Sequence, residues 1–208
     1  MRSWSVVVPA KRLAVAKTRL RPLTGPLGEG HDDLVLALLA DTVGAALGSD
    51  GVDEVVVVTD DPAAADLVRG LGARTVADEP DAGLNAALEH GAAAARNPAV
   101  AALSSDLPAL RSTELTAALD AASAVPRAFV ADAHGTGTTL LTAVGVSLDP
   151  SFGPASALAH RAGGATPLTG PWPGLVHDVD TEADLRAALA LGAGSRTTAF
   201  TVHLRGAR

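Results

Sequence analysis

The strongest constraint on the fold is a regular alternation between short β-branched runs and longer alanine- and leucine-rich segments. Apolar runs of roughly four to eight residues are typical of buried strands, whereas the longer segments repeat their apolar residues at helical spacing. We predict strands at Ser5–Val8, Glu54–Thr59, Arg74–Ala77, Val100–Ser104, Ala128–Ala131, Thr139–Val144 and Gly174–His177. We predict helices at Asp32–Leu47, Pro62–Leu71, Leu84–Arg96, Ser112–Ala122, Ser156–Ala162 and Glu182–Leu191. This alternation predicts an α/β fold with a mainly parallel sheet covered by helices on both faces.

Length and composition narrow the class of protein further. The 208 residues suit one domain covering 1–208, because no repeat and no Gly/Ser linker divides the chain. No apolar run approaches the roughly 18–20 residues of a membrane span, and no signal-peptide pattern precedes the first strand. The absence of cysteine excludes disulfides and thiolate chemistry. We therefore expect a cytoplasmic protein with no membrane partner.

The charge balance argues against nucleic acid as a partner. The formal net charge is −7, whereas binding to a phosphate backbone needs cations clustered over a large face. Aromatic residues make up only 2% of the chain, so platforms for base stacking are scarce. Local positive charge in an acidic protein fits a small anionic ligand better. We therefore expect small-molecule substrates and no nucleic acid.

One short segment concentrates the lysines of the chain. Of the 16 Lys and Arg residues only two, Lys11 and Lys17, are lysines, and both lie within Pro9–Leu20 after the first predicted strand. Lysine is a compact point charge that can approach a single phosphate oxygen, whereas arginine is a planar fork. Arg19 adds a further cation to the segment. The pattern favours a polyphosphate site, with a solvated basic loop as the alternative.

Carboxylates follow predicted strands, where open α/β sheets bind their ligands. Asp106 comes after the fourth predicted strand and suits Mg²⁺, a cation that prefers oxygen ligands; capping of a helix near Pro108 is the alternative. Asp178 and Asp180 share a face if the chain is extended there. Because Asp180 also matches the cap of the last predicted helix, we expect Asp178 to be the second metal ligand.

Two glycine-containing segments favour a second anion site. Gly135–Thr139 and Phe152–Ser156 each contain glycine, which lets a ligand come close to the backbone, and hydroxyl groups that can donate hydrogen bonds. The second segment leads into a predicted helix, whose first amides suit an anion. Each alone is a common turn, but their proximity in sequence favours a pocket. Gly83 and Asn85 open another predicted helix, where the Asn85 amide could read a base edge or a ribose hydroxyl, or simply belong to a helix start. No P-loop or dinucleotide-binding glycine motif follows the first strand.

Six motifs in this order resemble the phosphoenolpyruvate / 2-phospho-L-lactate guanylyltransferases of deazaflavin coenzyme F-420 biosynthesis. They are Val8–Lys11 through Lys17–Leu20, Gly83–Asn85, Ser105–Pro108, Gly137–Thr139, Phe152–Ser156 and Asp178–Thr181. The similarity runs from about Ser5 to Leu185. It implies a single-domain nucleotidyltransferase fold related to that of the GT-A glycosyltransferases.

The resemblance also implies roles for individual residues. The implied catalytic cations, which would engage the GTP phosphates, are Lys11, Lys17 and Arg19. The implied nucleotide-binding residues are Pro9, Ala10, Lys11, Gly83, Asn85 and Asp106. The implied Mg²⁺ ligands are Asp106 and Asp178. The implied acceptor-binding residues are Thr138, Gly153 and Ser156.

The implied reaction is the transfer of GMP from GTP to the phosphate of phosphoenolpyruvate, which gives enolpyruvyl-diphospho-5'-guanosine and pyrophosphate. Alternative acceptors are 2-phospho-L-lactate and 3-phosphoglycerate. The arginine- and alanine-rich composition suggests GC-rich coding, as in actinobacteria, where the resemblance favours phosphoenolpyruvate. A sugar-phosphate or molybdopterin nucleotidyltransferase matches less well, because Pro9–Leu20 contains no glycine. A non-catalytic nucleotide-binding module is a further alternative. We expect a monomer or homodimer that hands its product to the downstream transferase of the F-420 pathway.

Overall fold

The computed structural model of the protein describes residues 2–10, 13, 17–24, 30–79 and 81–206. Strands and helices alternate from residue 4 to residue 122. The strands are β1 (Trp4–Pro9), β2 (Val52–Val58), β3 (Arg74–Val76), β4 (Ala99–Leu103), β5 (Arg127–Ala131), β6 (Thr138–Val144) and β7 (Thr166–Leu168). The helices are α1 (His31–Leu47), α2 (Pro62–Leu71), α3 (Leu84–Ala93), α4 (Ser112–Ala122), α5 (Ser156–Ala162), α6 (Pro173–Val176), α7 (Glu182–Leu191) and α8 (Ser195–Gly206). A 3₁₀ helix at Thr18–Leu23 precedes α1.

The described strands form one seven-stranded sheet in the order β3-β2-β1-β4-β6-β5-β7. Strand β1 pairs in parallel with β2 and β4, β2 with β3, and β5 with β7. Strand β6 is antiparallel to both of its neighbours. For the pairing with β5 the reason is the short connection between the two strands, since a parallel pairing would need a crossover of a dozen or more residues. The prediction of a mainly parallel α/β sheet is confirmed.

Helices cover both faces of the sheet, as predicted. Alternate residues of a strand point to opposite faces. On β1, Val6 and Val8 belong to the same buried cluster as Leu39 of α1, whereas Val7 belongs to the cluster of Leu88 of α3. The three valines are fully buried. The central strand therefore has a hydrophobic core on each side, which leaves the ends of the strands as the place for polar chemistry.

One predicted strand is wrong. The segment Gly174–His177 was expected to be extended, but Pro173–Val176 forms the short helix α6. Proline at the first helical position has its backbone preset for a helix, and this outweighs the apolar character of the segment. The prediction also missed three elements: the 3₁₀ helix, β7 and α8. Within the described residues, no helix is long and apolar enough to cross a membrane.

Candidate active site

A cleft of about 730 Å³ opens at the carboxyl ends of β1 and β4. Among the described residues that line it are nine of those predicted from sequence: Pro9, Ala10, Lys17, Arg19, Asp106, Thr138, Gly153, Ser156 and Asp178. Gly83 and Asn85 are not among its described lining residues, so their proposed contact with a nucleotide stays a prediction. Lys11 lies outside the described residues. Residues spread over most of the chain thus meet at the sheet edge where ligands were expected.

Lys17 is the central cation of the described cleft. Its backbone is left-handed (φ 46°), and it caps the 3₁₀ helix that follows. Its Nζ forms ion pairs with the carboxylates of Asp106 and Asp180, the latter at 2.5 Å. Burial lowers the pKa of Lys17, but the charges and hydrogen bonds of the two carboxylates outweigh it and raise the pKa above its usual range. Lys17 is therefore a fixed positive charge at neutral pH.

Asp106 is held by its backbone as well as by its side chain. It follows β4 and is only 6% exposed. The next amide, that of Leu107, donates to the buried Oγ1 of Thr42 in α1 at 2.9 Å. The Asp106 carbonyl accepts from the amide of Val179 at 3.0 Å, which brings the segment containing Asp178 and Asp180 alongside. Two acidic segments distant in sequence are therefore joined by a backbone hydrogen bond.

Asp178 is a carboxylate of the cleft with a raised pKa. Burial raises its pKa to about 6, and the negative charges of Asp106 and Asp180 contribute in the same direction. Asp178 thus lies within electrostatic range of Lys17 and of the two carboxylates that pair with it. Such a group favours a cation, because positive charge relieves the repulsion among its members.

The expectation that Asp180 caps the last predicted helix is wrong. The cap of α7 is Thr181, whose Oγ1 accepts from the Asp184 amide at 3.3 Å. The Asp184 carboxylate accepts in return from the Thr181 amide at 2.8 Å, which completes a capping box. Asp180 is therefore available to pair with Lys17, and it lines the cleft. The sequence contained the correct signal, since a threonine followed three residues later by an acidic residue is a common helix start.

The opposite wall of the cleft is uncharged at its predicted positions. Thr138 begins β6, Ser156 begins α5, and Gly153 adopts φ 138°, a left-handed backbone that favours glycine. Thr138 and Ser156 line the cleft and are only 7% and 1% exposed, so each is part of a buried framework. Hydroxyls and glycine amides are hydrogen-bond donors that suit an anion.

Asp132 is a lining residue that the sequence analysis missed. It follows β5 much as Asp106 follows β4, and this placement is the signal that could have identified it. Its carboxylate accepts from the amides of Thr136 and Gly137, each at 2.9 Å. A Cβ added at Gly137 would lie 2.5 Å from the Asp132 Oδ2, so a side chain at this position would displace the Asp132 carboxylate. Asp132 therefore fixes the turn that leads into Thr138.

The donor set fits Mg²⁺ in the way that this ion is commonly bound. Mg²⁺ is usually held by one or two carboxylates, with substrate phosphates and water completing its shell. Asp106 and Asp178 offer such carboxylates at the edge of the cleft. Within the described ranges, no three His, Asp or Glu side chains are grouped closely enough to hold a metal by themselves. A metal here would therefore depend on oxygen atoms that a substrate brings.

Comparison with known proteins shows which family this chain resembles. The family model described as "Guanylyl transferase CofC like" matches residues 4–166. A phosphoenolpyruvate guanylyltransferase of Geodermatophilus obscurus is 68% identical over 203 residues, covering 96% of this chain and 94% of the relative. The enzyme of the same name from Thermomonospora curvata is 53% identical over 208 residues, covering 97% and 90%.

A solved structure with a similar fold comes from Desulfovibrio desulfuricans and is named as a nucleotide-diphospho-sugar transferase. It superposes with a TM-score of 0.73 at 18% identity, covering 99% of this chain and 96% of that one. At this identity the likeness concerns the α/β fold alone. Since the family model spans most of the chain and the relatives nearly all of it, the chain belongs to the guanylyl transferase CofC-like family.

Proposed function

We propose that this protein is a Mg²⁺-dependent phosphoenolpyruvate guanylyltransferase that acts in coenzyme F-420 biosynthesis. The observation that carries the proposal is the meeting of two unlike walls in one cleft. One wall holds Lys17 among the carboxylates of Asp106 and Asp178, and the other offers the hydroxyls of Thr138 and Ser156. The first suits a nucleoside triphosphate and the second a smaller anion. The name shared by the 68% identical relative supports phosphoenolpyruvate as that anion.

The proposed reaction is an in-line displacement at the α-phosphorus of GTP. An oxygen of the acceptor's phosphate forms the new bond to that phosphorus, and the bond to the departing pyrophosphate breaks. No nucleophile from the protein is needed, since the attacking oxygen is already anionic at neutral pH. Catalysis then consists of positioning two polyanions and neutralising their charge.

The cations of the cleft would supply that neutralisation. Lys17 keeps its charge at neutral pH because its two carboxylate partners raise its pKa. Arg19 lines the same wall, two residues further along the 3₁₀ helix. We assign both to the GTP phosphates, together with Lys11. Pro9 and Ala10, at the end of β1, would contact the nucleotide through the same wall.

Mg²⁺ would be held by Asp106 and Asp178. When bound, the ion would polarise phosphate oxygens and offset negative charge on the triphosphate. Asp106 has a second role that depends on the chain alone, because together with Asp180 it fixes the ammonium group of Lys17 at the cleft. The electrostatic repulsion of Asp178 by Asp106 and Asp180 supports this assignment, because a divalent cation would relieve it.

The acceptor would bind on the opposite wall. Its carboxylate and phosphate would take hydrogen bonds from the hydroxyls of Thr138 and Ser156 and from the backbone near Gly153. These three residues carry no positive charge. They would therefore recognise a small anion through hydrogen bonds and through the shape of the cleft. We place the reaction in the cytoplasm, within one domain, with the product passed to the downstream transferase of the F-420 pathway.

The test is pyrophosphate release with Mg²⁺ and GTP, with phosphoenolpyruvate, 2-phospho-L-lactate and 3-phosphoglycerate each added separately. ATP in place of GTP tests the choice of base. We expect release with GTP and phosphoenolpyruvate, and a Lys17→Ala preparation serves as the control for contaminating activity. No release with any acceptor, even with the downstream transferase present to remove product, would contradict the proposal.

A further inference from the structure

The segment Ser151–Ser156, which we call the acceptor loop, has an unusual backbone that is hydrogen-bonded by side chains from other parts of the chain. Gly153 has φ 138° and Ala155 has φ 57°, both in the region that side-chain-bearing residues rarely adopt. Gly153 and Ser156 line the cleft and are the proposed acceptor ligands. The placement of these ligands is therefore set by whichever side chains hold the loop.

Asn85, near the start of α3, holds the loop by its backbone at Phe152. The Oδ1 of Asn85 accepts from the Phe152 amide at 2.8 Å, and its Nδ2 donates to the Phe152 carbonyl at 3.1 Å. Both ends of the side-chain amide are thus engaged by one residue. Aspartate at this position would keep the first bond but would place an oxygen against the Phe152 carbonyl. The contact therefore requires an amide.

His160, on α5, holds the loop at Ser151 and also contacts Thr138. The ring is only 3% exposed, and its Nε2 accepts from the Ser151 amide at 2.9 Å. The Phe152 ring packs against it in a T-shaped arrangement, with ring centroids 5.1 Å apart. Because Nε2 accepts, the hydrogen of a neutral ring must be on Nδ1. Burial lowers the pKa of His160, which is consistent with a neutral ring.

This tautomer determines what the Thr138 hydroxyl can do. The Nδ1 of His160 lies 2.9 Å from the Oγ1 of Thr138. If Nδ1 carries the hydrogen, Oγ1 accepts it, and the hydroxyl's own hydrogen remains for another partner. Thr138 lines the cleft, so that partner would be a ligand with an acceptor atom. An anionic acceptor substrate meets this requirement.

We infer that Asn85 and His160 are positioning residues for the acceptor substrate, acting through the acceptor loop and through the Thr138 hydroxyl. Neither needs to touch the substrate. Both ends of the Asn85 amide are engaged by Phe152, so this role takes the place of the nucleotide contact predicted for Asn85 from the sequence. Asn85 sets the backbone at Phe152, and His160 sets both Ser151 and the direction in which Thr138 donates. The inference rests on the proposed acceptor role of Thr138, Gly153 and Ser156.

The kinetic test compares Asn85→Ala and Asn85→Asp with the wild-type protein. We expect the KM for phosphoenolpyruvate to rise about tenfold or more, with the KM for GTP within about twofold, because only the acceptor is misplaced. Asn85→Asp should be at least as impaired as Asn85→Ala. The matched control is Asn97→Ala, whose side chain donates to Ser5 on β1, away from the acceptor loop. A rise in the KM for GTP alone, or a wild-type-like Asn85→Asp, would overturn the inference.

The role of His160 is tested by a double-mutant cycle with Thr138. We expect the effect of His160→Phe on the KM for phosphoenolpyruvate to be smaller in a Thr138→Val background, because the two residues act in part through one hydroxyl. His160→Gln, which keeps a polar side chain, should be less impaired than His160→Phe. Fully additive effects of His160→Phe and Thr138→Val would overturn the role assigned to His160.

Hydrogen–deuterium exchange supplies a readout that does not need turnover. Peptides covering the acceptor loop should take up deuterium faster in Asn85→Ala and in His160→Phe, because the Phe152 and Ser151 amides lose their acceptors. Asn97→Ala should leave these peptides unchanged. Unchanged uptake in Asn85→Ala and His160→Phe would overturn the inference. If the wild-type protein turned over no acceptor while uptake still rose, the proposed function would fail and the hold on the loop would stand.

Discussion

The backbone carbonyl of Asp106 accepts a hydrogen bond of 3.0 Å from the backbone amide of Val179. Val179 is fully buried, and its neighbours in sequence are Asp178 and Asp180. This one bond therefore brings a segment with two further carboxylates alongside Asp106. Lys17 then pairs with Asp106 and Asp180. The charged wall of the cleft is therefore built on a main-chain contact rather than on side-chain packing alone.

Removing the positive charge of Lys17 should reduce catalysis more than folding. We expect Lys17→Ala to lower kcat by roughly two to three orders of magnitude, the scale of one lost charge contact to the transition state. Steady-state kinetics with saturating GTP and phosphoenolpyruvate measure this. Arg69→Ala is the matched control, since Arg69 is an exposed cation of α2 that pairs with Asp66. Near-normal turnover in Lys17→Ala would remove Lys17 from the mechanism.

Neutralising a proposed metal ligand should change the dependence on Mg²⁺. We expect Asp106→Asn and Asp178→Asn each to raise the half-saturating Mg²⁺ concentration at least about tenfold, because a carboxylate ligand is lost. Chelation with EDTA should abolish wild-type turnover. Asp66→Asn, at a side chain that is 82% exposed, is the control. Unchanged Mg²⁺ dependence, with far-ultraviolet circular dichroism confirming a folded variant, would show that the metal assignment is wrong.

Folding stability should depend on the protonation of His160. Burial lowers its pKa below the ordinary value of 6.5; Asp149 opposes this shift and Arg127 adds to it. The unfolded chain therefore takes up the proton first as the pH falls through 6.5, so the contribution of neutral His160 is present above that pH and is lost below it. The loss proceeds at up to about 1.4 kcal/mol per pH unit until the folded-state pKa is reached.

Urea unfolding at several pH values, for the wild type and His160→Gln, isolates this contribution from those of the other titrating groups. The difference in the free energy of unfolding between the two proteins should shrink between pH 8 and pH 5. A difference that stays constant over this range would mean that His160 does not titrate on unfolding.

Two glycines in helices should respond oppositely to alanine. A Cβ at Gly91 in α3 would lie 2.5 Å from the Cγ1 of Val7 and 2.6 Å from the Cγ2 of Val58. We expect Gly91→Ala to destabilise the protein by about 1–3 kcal/mol, since the helix must move away from the sheet. Gly44 in α1 has nothing within 4 Å of its Cβ position, so Gly44→Ala should add about 0.5–1 kcal/mol. Urea denaturation measures both, and equal effects would contradict the packing of α3.

Helix boundaries were predictable where their signals are local in sequence. The bounds of α2 were predicted without error because Asp61 accepts from the Ala63 and Ala64 amides and Pro62 occupies the first helical position. By contrast, the start of α8 is held by Asp41 of α1, which accepts from the amides of Arg196 and Thr197. A cap supplied from another helix leaves no local pattern, so α8 was missed.

The candidate site shows the same division between local and distant contacts. Lys17, Asp106 and Asp178 could be selected from the sequence because each carries a charge after a strand or in a recognisable motif. The pairing of Asp180 with Lys17 could not, because it depends on how the chain brings the end of β4 beside Val179. The contact of His160 with Thr138 is likewise a product of packing between α5 and β6.

The central claim is that the acceptor's phosphate oxygen attacks the α-phosphorus of GTP. Phosphoenolpyruvate with ¹⁸O throughout its phosphate, reacted with GTP and excess enzyme, tests it by mass spectrometry and ³¹P NMR of the products. The account predicts that all of the label stays in the guanylylated product, with ¹⁸O in the bridge to the GMP phosphorus and none in pyrophosphate. Loss of one labelled oxygen from the product, or its appearance in pyrophosphate, would contradict the account.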